Sequence, residues 1–181
     1  MKKIMFNDKY GLTQAVLEGR KTMTRRMANA WERQDGTLSG WMPGAYKVGE
    51  EVAVAQPYKD IVNNKFFINQ CFANEKFPET MLYEAGWNNK MFTASYYMPH
   101  RIRINNIKVE RLQDISAEDC IREGVLKNGG WRPYNFALYG FSEWFETPQK
   151  AFSVLIDKVS GKGTWESNPW VFAYEFELLN S

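Results

Sequence analysis

The sequence predicts an α+β fold in which short strands form a small antiparallel or mixed β-barrel flanked by helices. Two observations lead to this prediction. Several stretches alternate apolar and polar residues with the period of a strand, and others place apolar residues at helical spacing between capping residues. The 181 residues suit a single domain over residues 1–181, and the hydrophobic fraction of 44% can supply its core.

The first element is a helix within "YGLTQAVLEG", where Leu12, Ala15 and Val16 fall on one face and Gly19 marks the end. A strand follows in "YKVGEEVAVAQ", directly after a turn at Gly49. The stretch "PHRIRINNIKVERL" then alternates in both of its halves, so it predicts two further half-buried strand segments.

Two later helices begin at residues that cap helices well. "ISAEDCIREG" places Ser116 at the N-cap and ends at Gly124. "TPQKAFSVLIDKVSG" places Thr147 at the N-cap and Pro148 at the first helical position, and its continuous apolar stripe indicates a core face. The closing segment "PWVFAYEFELL" is predicted to form the last barrel strand, over residues 170–178, with the preceding helix closing the barrel.

Residues 57–97 and 125–146 follow neither period. They are rich in aromatic residues, Asn and Gly, so we expect irregular insertions or long loops on the strand framework. The aromatic density of the second insertion fits either a packed lid or a surface that contacts another protein.

Composition limits the classes of function. Lys and Arg total 23 against 21 Asp and Glu, so the net charge of +2 is too small to attract nucleic acid generally, and an anion site requires local clustering. A single histidine, His100, argues against a histidine-rich metal site, and we expect neither a metal nor a cofactor. Without a signal peptide or a long apolar run, we expect a soluble, cytoplasmic protein that does not enter the membrane. The oligomeric state stays open.

Positive charge does cluster in "EGRKTMTRR", at residues 18–26. The dipole at a helix C-terminus stabilises cations by roughly 0.3–1 kcal/mol, which accounts for Arg20 and Lys21 but does not reach Arg25 and Arg26. Two interpretations are open. The segment is a solvated loop, or its guanidinium groups bind phosphates or base edges.

Four separated motifs resemble the ASCH family, whose domains have a PUA-like barrel fold. They are "VLEGRKTMTRR" at residues 16–26, "VGEEVAV" at 48–54, "MPHRIRINNIKVERLQDISAEDCIREG" at 98–124 and "WESNPWVFAYEF" at 165–176. Together they cover most of the chain outside the two insertions, in the manner of the larger ASCH proteins of bacterial and phage genomes. The chain departs from such relatives at Ala55 and Gln56, where they usually carry an Arg-Glu pair.

The resemblance implies that the chain binds RNA or a modified nucleoside in a basic cleft beside the barrel, around "GRKTMTRR". The candidate ligand-binding residues are Arg20, Thr22, Arg25, Arg26 and Trp165. The tryptophan is included because an indole ring can stack on a base.

An alternative function follows from a small member of the family, an amidohydrolase that cleaves acetylcytidine. The resemblance carries its catalytic set onto Lys21, Thr24 and Glu123. Nearby like charges favour a neutral Lys21, which could take the proton of Thr24 for attack on an amide carbonyl. Glu123 could orient the lysine or deliver a proton to the leaving amine.

Two other hypotheses remain open. In a structural interpretation, Thr22 and Thr24 are ordinary strand residues, and Glu123 is an ion-pair partner of the arginines. In a third functional hypothesis, the chain is a phage accessory factor that binds a host protein through residues 125–146.

Overall fold

The computed structural model describes residues 1–76, 78–127 and 136–179, which form an α+β fold, as predicted. The strands are β1 (Lys3–Ile4), β2 (Met23–Met27), β3 (Ala30–Glu32), β4 (Leu38–Trp41), β5 (Glu51–Val54), β6 (Arg101–Arg111), β7 (Leu126–Lys127), β8 (Phe136–Ala137), β9 (Trp144–Phe145) and β10 (Trp170–Leu179). The helices are α1 (Leu12–Leu17), α2 (Tyr58–Ile61), α3 (Lys65–Ala73), α4 (Ala117–Arg122), α5 (Pro148–Ser160) and α6 (Thr164–Ser167).

A five-stranded mixed sheet with the order β1-β5-β6-β10-β2 forms the framework. β1 runs parallel to β5, and the other neighbours are antiparallel. Among the described residues this ladder does not close into a barrel, since β1 and β2 remain its edges. The Arg26 guanidinium nevertheless joins the two edges, because it donates a 2.6 Å hydrogen bond to the carbonyl oxygen of Met5, just beyond β1.

The longest ladder, between β6 and β10, contains a bulge. The apolar residues of β6 change from even to odd positions between Ile104 and Ile107. The pairing shifts at the same place, since Glu175 lies opposite Asn106 and Phe176 lies opposite Ile104. A bulge adds one residue to one strand and so reverses the alternation. The two predicted segments are therefore one continuous strand.

The two capped helices begin as predicted. Ser116 accepts a hydrogen bond from the Asp119 amide at the start of α4, and Thr147 accepts one from the Lys150 amide at the start of α5. After α4 the chain turns at Gly124, whose φ of 116° is a conformation that glycine adopts without strain. This turn fixes the end of α4, where Glu123, the candidate catalytic glutamate, is the C-cap residue.

The first insertion, expected to be irregular, instead builds a second core. It contains α2, α3 and several short 3-10 turns. The ring centroids of Tyr58, Phe67 and Tyr97 lie 5.6–5.7 Å from one another, and Ala53 of β5 belongs to the same apolar cluster. Its longest helix has nine residues, which is too short to give a clear periodic signal in the sequence.

Two small sheets complete the fold. The hairpin β3–β4 follows β2, and the strands β7, β8 and β9 come from the second insertion. Residues 128–135 of that insertion, which belong to the hypothetical host-protein surface, lie outside the described residues. In the described part of the chain, no helix combines the length and the apolar character that a membrane span requires.

Candidate functional site

A cavity of about 200 Å³, called here the first cavity, lies between the two sheet edges, α4 and α5. Most of its polar lining comes from the motif around β2 and from the end of α4, namely Lys21, Thr24, Arg25, Arg26 and Glu123, and Asn7 and Ser160 add two more polar groups. Apolar side chains, mainly of the N-terminal segment and α5, form the rest of the wall. The structure thus brings together all three residues of the candidate catalytic set.

The loop that carries Lys21 is held at both ends by main-chain hydrogen bonds. Gly19, with φ of 71°, turns the chain after α1. The Lys21 amide then donates to the Ala15 carbonyl at 2.9 Å, and the Thr22 amide donates to the Arg122 carbonyl at 3.0 Å. The loop is therefore fixed between α1 and α4, and the Lys21 side chain points inward.

Lys21 is almost completely buried, with 2% of its surface exposed. Its ammonium group donates to Glu123 Oε2 at 2.6 Å, to the Glu123 carbonyl at 2.7 Å and to the Met23 carbonyl at 2.7 Å. Three acceptors match the three N–H donors of a charged lysine. Burial lowers the pKa of Lys21, although the Glu123 carboxylate opposes this effect. Lys21 therefore loses its proton more easily than a solvated lysine.

Arg25 is committed to the protein itself. All five N–H donors of its fully buried guanidinium have acceptors, which are Glu110 Oε1 for two of them, Asp119 Oδ2, Glu123 Oε1 and the Met23 sulfur. Burial alone would lower the pKa of Arg25, but the carboxylates of Glu123 and Glu110 outweigh it and raise that pKa. Arg25, a candidate ligand-binding residue, therefore lines the first cavity with all of its donors engaged by the protein, and it holds the Glu123 carboxylate in place.

The register of three strands brings this cluster together. Arg25 of β2 lies opposite Ala173 of β10, and Glu110 of β6 lies opposite Val171 of the same strand. Residues two apart on a strand share a face, so the guanidinium reaches Glu110 across the face of β10. The small side chain of Ala173 leaves room for this crossing. Sequence reasoning did not connect Glu110 or Asp119 with Arg25, since neither the pairing of β6 with β10 nor the approach of α4 to β2 gives a local signal.

Thr24 and Arg26 line the first cavity with hydrogen-bonding capacity to spare. In the described part of the chain, the Thr24 hydroxyl makes no hydrogen bond, so none joins it to the Lys21 amine. Arg26 uses a single N–H donor, toward Met5, among the same residues. These two side chains can therefore bind a ligand without first breaking an ion pair.

The other candidate residues lie elsewhere. Arg20 pairs with Glu18 at the surface, with 2.6 Å between Nε and the carboxylate. The Thr22 hydroxyl accepts a 3.0 Å hydrogen bond from Arg122 Nε. Trp165 packs edge-on against α5. None of the three lines the first cavity.

No group of His, Cys, Asp and Glu among residues 1–76, 78–127 and 136–179 is arranged to hold a metal ion. Comparison of the chain with family models, with curated proteins and with solved structures finds no match. The arrangement of side chains around the first cavity is therefore what bears on function.

Proposed function

We propose that the first cavity binds the base of a modified nucleoside or of an RNA nucleotide, in an ASCH domain with a PUA-like, incompletely closed barrel. The observation that supports this is the convergence of Lys21, Thr24 and Arg26 with Glu123 on one cavity. These residues come from the first and third motifs that resemble the ASCH family, which are far apart in the sequence.

The size and chemistry of the first cavity suit one base. Its 200 Å³ exceeds the roughly 150 Å³ of an engineered protein cavity that takes up benzene, so there is room for a planar ring with substituents. Phe6 and Leu12 belong to the apolar wall, while Thr24 and Arg26 offer hydrogen bonds. Ligand pockets commonly combine an apolar lining with a few orienting polar groups.

Calorimetric titration with cytidine, acetylcytidine and uridine tests this function. Thr24→Val keeps the shape of the side chain and removes its hydroxyl, so the best ligand should lose about 0.5–1.5 kcal/mol of binding free energy. Thr22→Val is the matched control, because that hydroxyl lies outside the first cavity. Absence of binding by the wild type, or equal losses in both variants, would refute the proposal.

We propose, as a second candidate, that the first cavity hydrolyses the amide of an N-acylated cytidine-type nucleoside. The specific support is an unpartnered Thr24 hydroxyl, within the described residues, in the same cavity lining as a lysine whose pKa is lowered by burial. Lys21 would first lose a proton and one of its three acceptor contacts. It would then take the Thr24 proton as the hydroxyl oxygen bonds to the acyl carbon.

The remaining steps balance within the same set. The C–N bond breaks as the Lys21 ammonium returns its proton to the leaving amine, which leaves the acyl group on Thr24 as an ester. Water then hydrolyses that ester to the free acid and restores the hydroxyl. Glu123 orients the lysine throughout, through the contact of 2.6 Å.

Single-turnover hydrolysis of acetylcytidine separates the two functions. Thr24→Ala should lower the rate at least about 10²-fold, while Thr24→Ser keeps a hydroxyl and should retain part of the activity. Lys21→Ala should be equally inactive, and circular dichroism must show that this variant still folds. Binding of acetylcytidine by the wild type without turnover would exclude hydrolysis and leave the binding function standing.

A further inference from the structure

A groove of about 460 Å³, called here the second groove, adjoins the first cavity at β2. Arg26 and Met27 line both of them. Beyond these two residues, the second groove is walled by Asn29, Met42 and Tyr174 together with the chain that leads to β5. A ligand seated in the first cavity can therefore continue into the second groove without leaving the protein surface.

Arg26 occupies the junction between the two. Its bond to the Met5 carbonyl fixes the guanidinium there, and that bond uses one of its five N–H donors. Within the described residues, no carboxylate pairs with Arg26, in contrast to Arg25. A guanidinium with donors to spare is well suited to hold a phosphate in a forked geometry.

The hairpin β3–β4 rises from the rim of the second groove and carries Trp31, which is 56% exposed. Asn29 directly precedes β3, and its carbonyl still pairs with the Met42 amide, so Trp31, two residues further on, lies on the same side of the hairpin. Met42 shares that face. Its main-chain amide donates to the Asn29 carbonyl at 2.8 Å, and its sulfur lies 3.8 Å from Nδ2 of the Asn29 side chain.

The opposite face of the hairpin carries a second tryptophan. Trp41 pairs with Ala30, whereas Trp31 pairs with Gly40, so the two indole rings point to opposite sides. Trp41 is 48% exposed. Trp31, with one flank of its ring against Gly40, is therefore the tryptophan on the face of the hairpin that it shares with Met42, although its ring does not itself line the second groove. An exposed indole offers a π-face on which any base can stack.

We propose that the chain binds a single-stranded polynucleotide, with one base in the first cavity, the next nucleotide in the second groove stacked on Trp31, and the phosphate between them on Arg26. This inference rests on the proposed binding of a base in the first cavity. A cation at the junction of two adjoining sites is what a phosphodiester-linked ligand requires, and a protein partner would have no such requirement.

The test compares two variants and two kinds of ligand. Acetylcytidine alone and a trinucleotide with acetylcytidine at its centre are titrated against the wild type, Trp31→Ala and Trp41→Ala. The trinucleotide should bind more tightly than the nucleoside. Trp31→Ala should weaken trinucleotide binding by between about fivefold and a hundredfold and leave nucleoside binding unchanged. Trp41→Ala, with an indole of similar exposure, should change neither.

The outcomes separate this inference from the proposed function. Nucleoside binding without any gain for the trinucleotide, or equal effects of the two tryptophan variants, would overturn the inference alone. If neither ligand binds, both proposals fail. Self-association of the wild type that is lost in Trp31→Ala, with trinucleotide binding intact, would make the hairpin a protein contact and also overturn the inference. Parallel ribose and deoxyribose trinucleotides identify which nucleic acid is preferred.

Discussion

The adjacent arginines of the motif have opposite roles at the scale of single residues. Arg25 points into the protein and has all of its donors satisfied by Glu110, Asp119, Glu123 and Met23. Arg26 points to the other side of β2, since neighbouring strand residues alternate, and keeps most of its donors free for a ligand. The charge clustering in the motif therefore combines one cation that the protein neutralises, Arg25, with one that has no carboxylate partner among the described residues, Arg26.

Removal of Arg25 should destabilise the fold strongly. In Arg25→Leu, the buried carboxylates of Glu110 and Glu123 lose their shared cation, and breaking a buried ion pair in this way costs about 3–5 kcal/mol of unfolding free energy. Urea denaturation followed by circular dichroism measures the loss. Arg20→Leu is the control, because its ion pair is exposed, and it should unfold close to the wild-type urea concentration. A similar midpoint for both variants would contradict the assigned role of Arg25.

The sequence could predict which motif residues lie near one another, but not what each of them does. Arg25 meets Glu110 and Glu123, which are 85 and 98 residues away along the chain. Local charge counting sees only neighbouring cations, so it predicts repulsion at a place where distant carboxylates provide attraction. The long-range pairing of strands, rather than the motif itself, decides whether a cation is structural or free.

At the scale of elements, the correctly predicted helices and strands are those that a local sequence pattern marks. The caps at Ser116 and Thr147 and the alternation in β10 are properties of short stretches, and the helices and strand appear where they indicate. Both faces are buried in the middle of β10, because Val171 and Ala173 are as inaccessible as Phe172 and Tyr174 on the opposite face. That second buried face accommodates α5 and the crossing of Arg25.

The elements that the sequence did not predict have no strong local pattern of apolar and polar residues. The strands of the hairpin β3–β4 have three and four residues and are largely exposed, so no apolar alternation marks them. The predicted closure of the barrel is not seen among the strands of the described residues. β1 contains only two residues and pairs with β5 on one side, and the Arg26 bond to Met5 is what connects its other side to β2.

At the scale of the whole molecule, the first insertion braces the rim of the first cavity. Phe6 and Asn7 belong to that rim. The Lys90 ammonium, from the insertion, donates to the Phe6 carbonyl and to Asp8 Oδ1, the latter at 2.6 Å. Lys3 donates in return to three carbonyl oxygens of residues 90–93. The second core is therefore coupled to the candidate site by two reciprocal lysines.

Lys90→Met should loosen the rim while the rest of the fold stays intact. The variant keeps a long apolar side chain but loses its bonds to Phe6 and Asp8, and hydrogen bonds to a charged group contribute about 1.5–3 kcal/mol each. Amide hydrogen exchange over residues 5–8 should therefore become about tenfold faster or more, and nucleoside binding to the first cavity should weaken. Exchange mass spectrometry and calorimetry measure the two effects. Lys59→Met, at an exposed lysine of the same insertion, is the control and should change neither. Unchanged exchange over residues 5–8 in Lys90→Met would show that the rim holds its shape without the insertion.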